Sequence, residues 1–154
     1  MKKSAVVVIL AILLVFSACA CGAEKAEAPD MQSVYSKMLE TGLVPDMVVV
    51  PPEKGEFYFG IAPSDCRQEI TAICQNSLLA DEIWLIEAND AKSAGQIEEL
   101  AKARLTQKGE ELKSYAPDQY KVVQEAKLLK SGSCVMLIVS PEAEKLQEAA
   151  GLLK

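Results

Sequence analysis

Apolar positions along the chain fall into two periods, and the changes between them mark the elements. Asp30 stands before Met31, Val34, Tyr35, Met38 and Leu39, whose spacing of three and four residues predicts an amphipathic helix stopped at Gly42. Val44–Val50 reads as extended, and Pro45, Pro51 and Pro52 keep it out of the centre of any sheet. Lys54–Ser64 follows neither period, although Phe57, Tyr58, Phe59 and Ile61 need apolar cover. From Arg67 the period becomes two: Ile70, Ala72 and Cys74 alternate with polar neighbours, and Asn76-Ser77 makes a break. Glu82-Ile83-Trp84-Leu85-Ile86-Glu87 follows as a strand apolar on both faces, pairing with the first as a hairpin.

Asp90 caps a long helix in which Ala94, Ile97, Ala101, Leu105, Leu112 and Tyr115 form one stripe while Glu98, Lys102 and Glu111 face water. Gly109 inside it costs about 1 kcal/mol relative to Ala and suggests a bend; Pro117 lies beyond the end. Val122–Lys130 and Cys134–Ser140 read as strands joined by Ser131-Gly132-Ser133, the second apolar on both faces. Pro141 then opens a terminal helix carrying Ala143, Leu146, Gln147, Ala150 and Leu153 on one side. The order α, ββ, α, ββ, α predicts an α+β fold: one small domain with a four-stranded, mostly antiparallel sheet and helices on at least one face.

Ahead of this domain the pattern belongs to export. Met1-Lys2-Lys3 is basic, Ala5–Phe16 is an unbroken apolar run, and Ser17-Ala18 are small residues before Cys19. A cysteine directly after the small residues suits diacylglyceryl transfer to its thiol and cleavage before it. The expected organisation is a lipoprotein signal peptide over 1–18, a lipidated Cys19 with a flexible spacer over 19–29, and the domain over 30–154. A retained membrane helix fits less well, because the run falls short of the roughly 20 residues needed to cross a ~30 Å hydrocarbon core. Cys21 offers a second cut site, but Phe16, three residues before Cys19, is the bulky apolar residue such a site takes, whereas Cys21 has Ala18 there. Acyl chains contribute about 0.8 kcal/mol per buried methylene, so two or three of them hold a protein to the membrane. The expected place is therefore the extracytoplasmic face of the cell membrane, with the bilayer as first partner.

Charge and composition narrow the chemistry. The chain carries a net −6 and has no histidine; losing Lys2 and Lys3 with the signal makes it more acidic by two charges. Acidity argues against nucleic acid as a partner and gains nothing from anionic lipid, leaving attachment to the acyl group. Lack of histidine removes the commonest general base and the commonest metal ligand, and no Cys-x-x-Cys spacing points to zinc or redox chemistry, so neither cofactor nor metal is expected. Cys66, Cys74 and Cys134 read as free thiols buried like small hydrophobes, with a Cys74–Cys134 bridge as the alternative.

The acid pairs Glu98-Glu99 and Glu110-Glu111 diverge by ~100° on a helix and read as solvated face. Asp81-Glu82 begins a strand, where a structural role outweighs a catalytic one. Trp84 reads as core, and Arg104 interrupts the apolar stripe of the long helix, its stem packing while its head finds a carboxylate. Ala80-Asp81-Glu82-Ile83 opening a strand, Arg104 in the next helix, Tyr115-Ala116-Pro117 after it, and a paired strand and helix at the end resemble the bacterial lipoproteins grouped as domain of unknown function 4358, over about Val34 to Leu146. The resemblance implies a lipoprotein signal ahead of this domain and makes Asp81, Glu82, Arg104, Tyr115 and Pro117 an interaction or structural motif; it implies no activity. Cys134 departs from it, standing where an aromatic or aliphatic residue is more usual. The expected role is a non-enzymatic binding or assembly module that meets an envelope protein or a wall component. The alternatives are a small histidine-free envelope enzyme using carboxylates or a cysteine, favoured by a concave pocket lined by Asp81, Glu82 and Arg104, and a solute-binding accessory of a transporter.

Overall fold

The computed structural model describes residues 28–152, so the signal over 1–18, Cys19, Cys21 and most of the spacer lie outside the described residues. Asp30 accepts hydrogen bonds from the backbone N–H groups of Gln32 and Ser33 and starts helix α1 (Met31–Glu40), as the sequence predicts. The short strand β1 (Met47–Val50) follows, then helix α2 (Pro52–Phe59) and a 3-10 turn over Pro63–Asp65. Strands β2 (Cys66–Cys74) and β3 (Glu82–Ala88) form the expected hairpin. The long helix α3 (Ala91–Leu112) is capped by Asp90 and precedes helix α4 (Pro117–Gln124). Strands β4 (Lys127–Ser131) and β5 (Cys134–Val139) and helix α5 (Ala143–Ala150) complete the domain.

The fold is α+β and antiparallel, but the sheet has five strands where the pattern predicts four; their order is β1-β2-β3-β5-β4. The fifth is β1, a four-residue edge strand. Its prolines do bar it from the centre, and Pro52 goes further by taking the first position of α2, where its fixed φ suits a helix and its missing N–H costs nothing. Pro117 acts in the same way, so the expected strand beginning at Val122 is a helix that buries Val123 and becomes strand only at Lys127. Helix α3 ends at Leu112, and Tyr115 stands 73% exposed instead of completing its stripe. Gly109 is buried where α3 meets α4, and a Cβ there would touch Tyr120 Cε2 at 3.4 Å, an ordinary contact.

Helices cover both faces of the sheet. Along the fully buried β3, Ile83 and Leu85 point into a core with Met31, Val34, Tyr35 and Met38 of α1 and Leu146 of α5. Trp84, Ile86 and Ala88 point the other way, against Phe59 of α2, Ala94, Ile97 and Ala101 of α3, and Val123 of α4. β5 is buried along its whole length beside β3, as two-sided cover requires. The last residues of the expected spacer are tied down: Ala28 packs on the α1 side, and the Pro29 carbonyl accepts from Gln68, whose side chain also caps the Met31 N–H. Cys66, Cys74 and Cys134 are free thiols and the alternative bridge is not formed, but only Cys134 is buried as expected; Cys66 and Cys74 are half-buried.

Candidate functional site

Glu82 opens β3 with the same parity as Trp84 and Ile86, so its carboxylate enters the core under α3. Arg104 and Lys108 are four residues apart on α3 and therefore share a face. Both reach the fully buried carboxylate. Arg104 donates from Nε at 3.1 and 3.2 Å and from Nη2 at 3.0 Å, Lys108 Nζ stands 2.9 Å from Oε2, and Trp84 Nε1 donates at 2.9 Å. The Arg104 guanidinium lies 5.6 Å from the centroid of Phe59, which packs on Trp84 at 5.2 Å. Lys108 also donates to the Ala80 carbonyl at 2.6 Å, while the Ala80 N–H donates to Gln119 of α4 at 2.8 Å. The start of β3 is thus clamped from two helices at once.

Asp81 is also buried, and burial raises its carboxyl above the usual range against the pull of the Ser140 hydroxyl, its own backbone N–H and Lys108. Sequence reasoning singled out Asp81, Glu82 and Arg104, and the structure brings Glu82 and Arg104 into contact with Asp81 beside them. Tyr115 does not join them. Pro117 takes part only by starting the helix that carries Gln119. Lys108, Trp84 Nε1 and Gln119 were missed as members. Lys108 was detectable, since it lies one turn beyond Arg104 on the side of α3 that the stripe buries. Chemically, the arrangement holds charge in place: both Glu82 oxygens already accept from strong donors.

A second acid lies further along the same face of the sheet. Glu69 of β2 presses its carboxyl against Gly55 of α2 so closely that a Cβ at residue 55 would sit 2.5 Å from Oε1. Both Glu69 oxygens and Thr71 Oγ1 are buried without a hydrogen bond of ordinary geometry. Burial pushes Glu69 up to about 6, the Thr71 hydroxyl beside it opposing the shift. The folded state thus holds this proton more tightly than the unfolded chain does. Stability from Glu69 is full below about pH 4.5 and is lost as the pH rises through about 6, by at most ~2 kcal/mol. Glu69→Gln should therefore flatten that part of the pH dependence and raise stability above pH 7; urea melts across the range check it, and an unchanged slope would mean Glu69 ionises freely when folded.

One surface cleft of about 470 Å³ is bordered by Glu125, Lys127 and residues 140–145, and another of about 420 Å³ by Pro45, Asp46, Cys74, Gln75, Asn76 and Leu79. Asp81, Glu82 and Arg104 line neither. Among the described residues no group of three or more Cys, Asp or Glu side chains is placed to hold a metal ion, and no helix is long and apolar enough to cross a membrane. A family model described as Domain of unknown function (DUF4358) matches residues 46–140, from β1 to the end of β5, the stretch that holds the Glu82 cluster. No curated protein and no solved structure matches the chain.

Proposed function

We infer that this chain, which belongs to the family described as Domain of unknown function (DUF4358), is a lipid-anchored extracytoplasmic protein whose domain acts as a non-enzymatic binding or assembly module of the cell envelope. The anchor rests on the basic start, the apolar run and Ser17-Ala18 before Cys19. The observation that carries the module reading is that the half-buried Arg104 and Lys108 and the buried Trp84 turn their polar groups onto the buried Glu82 carboxylate, so the strongest charge cluster serves the fold. Large apolar side chains meanwhile stand on the surface: Phe57 is 86% exposed and packs edge-on against the exposed Tyr58 at 5.2 Å. Aromatic residues of this kind are favoured anchors for a protein partner.

Crosslinking in the native envelope followed by mass spectrometry tests the module. A discrete protein or wall fragment should crosslink to the chain and be lost from a Phe57→Ser/Tyr58→Ser variant that still folds. Labelling with an acyl precursor tests the anchor: Cys19→Ala should abolish label and leave full-length precursor, while Cys21→Ala changes little. Label lost only with Cys21 would move the attachment site, and turnover of an envelope substrate that disappears in Glu82→Gln would replace the module with an enzyme.

A further inference from the structure

The two edges of the sheet are built differently. β4 carries Lys127 and Lys130, which pair with Glu144 of α5 and Glu98 of α3 and so set charged side chains along that edge. β1 reads Met47-Val48-Val49-Val50, without a charge, and Val48 and Val49 are 46% and 48% exposed on opposite faces. Its inner side is occupied by β2, from Met47 opposite Cys74 to Val50 opposite Thr71. The Asp46 carbonyl accepts from the Gln75 N–H, whereas the Cys74 N–H turns to Asp81 on the far side of β2. Backbone polar groups alternate sides along a strand. Asp46, Val48 and Val50 therefore face β2, and Met47 and Val49 direct their N–H and C=O groups outward along an edge that is open among the described residues.

We propose that this edge pairs with β1 of a second copy, antiparallel about a two-fold axis at Val48, joining two sheets into one. An axis perpendicular to the sheet keeps each face on its own side, so paired residues must have the same parity. Centring on Val48 sets Met47 opposite Val49 of the second copy and the reverse, and these are the residues whose backbone groups point outward; each pair exchanges both of its hydrogen bonds. Centring on Val49 instead sets Met47 opposite Pro51, which has no N–H to give. Pro45 and Pro51 of both copies then flank the same short ladder and fix its length. Side chains fit as well: Val48 meets Val48 on one face and Met47 meets Val49 on the other, with no like charges opposed although the chain carries −6. A two-fold contact uses the same edge on both copies, so pairing through β1 closes at an isologous dimer.

The register makes a sharp test on the full chain in detergent micelles. Val48 stands at a non-hydrogen-bonded pair, where Cα atoms approach to about 4.5 Å, inside the ~4.4–6.8 Å window of a disulfide. Val48→Cys should give a chain-to-chain disulfide whose peptide map joins residue 48 to residue 48, and Val49→Cys should not give the corresponding 49-to-49 link. Light scattering should show a dimer for the unaltered chain. Val49→Pro removes an N–H that β2 does not use, so it should leave the circular dichroism spectrum and melt of the fold in place and give monomers. A monomeric unaltered chain, a 49-to-49 link in place of 48-to-48, or protection of the β1 amides by a different protein without any 48-to-48 link would each overturn the proposal. Should Val49→Pro fail to fold, the pair of cysteine variants decides alone.

Discussion

Glu82→Ala should be the most damaging single change outside the apolar core, lowering stability by about 3–5 kcal/mol in urea melts of the chain from residue 23 onward. Removal of this carboxylate leaves Arg104 and Lys108 facing each other with their counter-ion gone, and Trp84 Nε1 without its acceptor. Such a loss is a large share of a typical 5–15 kcal/mol total. Its size reflects the stranded cations more than the worth of the pairing itself, since three charged groups had to give up water to make it. Replacing all three charged groups together, Glu82→Leu with Arg104→Met and Lys108→Met, should therefore recover most of what the single change loses. A cost below ~1 kcal/mol for Glu82→Ala would mean that water reaches the cluster. A gain in stability would mark it instead as a strained functional site, because removing functional groups tends to relax a fold.

The second large effect belongs to β5. Leu137→Ala should cost about 2–5 kcal/mol, as should Ile86→Ala on β3. Both side chains are fully buried in the core under α3, and Leu137 sits opposite Trp84 on one neighbouring strand and Leu128 on the other. A cavity there is walled by strands on two sides and by helix above, so neighbours have little room to close it. Glu111→Ala is the control: among the described residues its side chain accepts only from Gln107, one turn away in solvent, and the change should stay within about ±0.5 kcal/mol. Glu98 is a poorer control than its place on the helix suggests, because it bridges Lys102 at 3.3 Å and Lys130 of β4 at 3.5 Å. Equal losses at Glu111 and Leu137 would sink the assignment of faces.

What could be read in advance follows from what local pattern encodes. β3 and β5 were legible because each is a short apolar run, bounded by turn residues and rich in β-branched side chains, as a strand covered on both faces is. α1 and α3 were legible because Asp30 and Asp90 announce their first turns and the stripe behind each is regular. α2 and α4 were not, for each is a single short helix of eight residues begun by a proline that also reads as a breaker. Of the site, the importance of Arg104 was visible as a charge in an apolar stripe, but its partner was not. Glu82 lies 22 residues away on another element, and nothing local says which face of β3 will meet α3.

The sequence by itself determined the α+β class, the two central strands, the caps and the hairpin at Gly132, since each depends on side chains a few residues apart. Tertiary structure alone decided that β5 enters between β3 and β4, that helices lie on both faces, and that Glu82 is neutralised by α3. It also decided that Glu69 is pressed under Gly55 and that β1 forms one edge of the sheet, with β4 at the other. Strand order and helix docking are chosen by the summed burial of surfaces far apart in the chain. A carboxylate's neighbours, and the side of a strand that remains unpaired, exist only once that choice has been made.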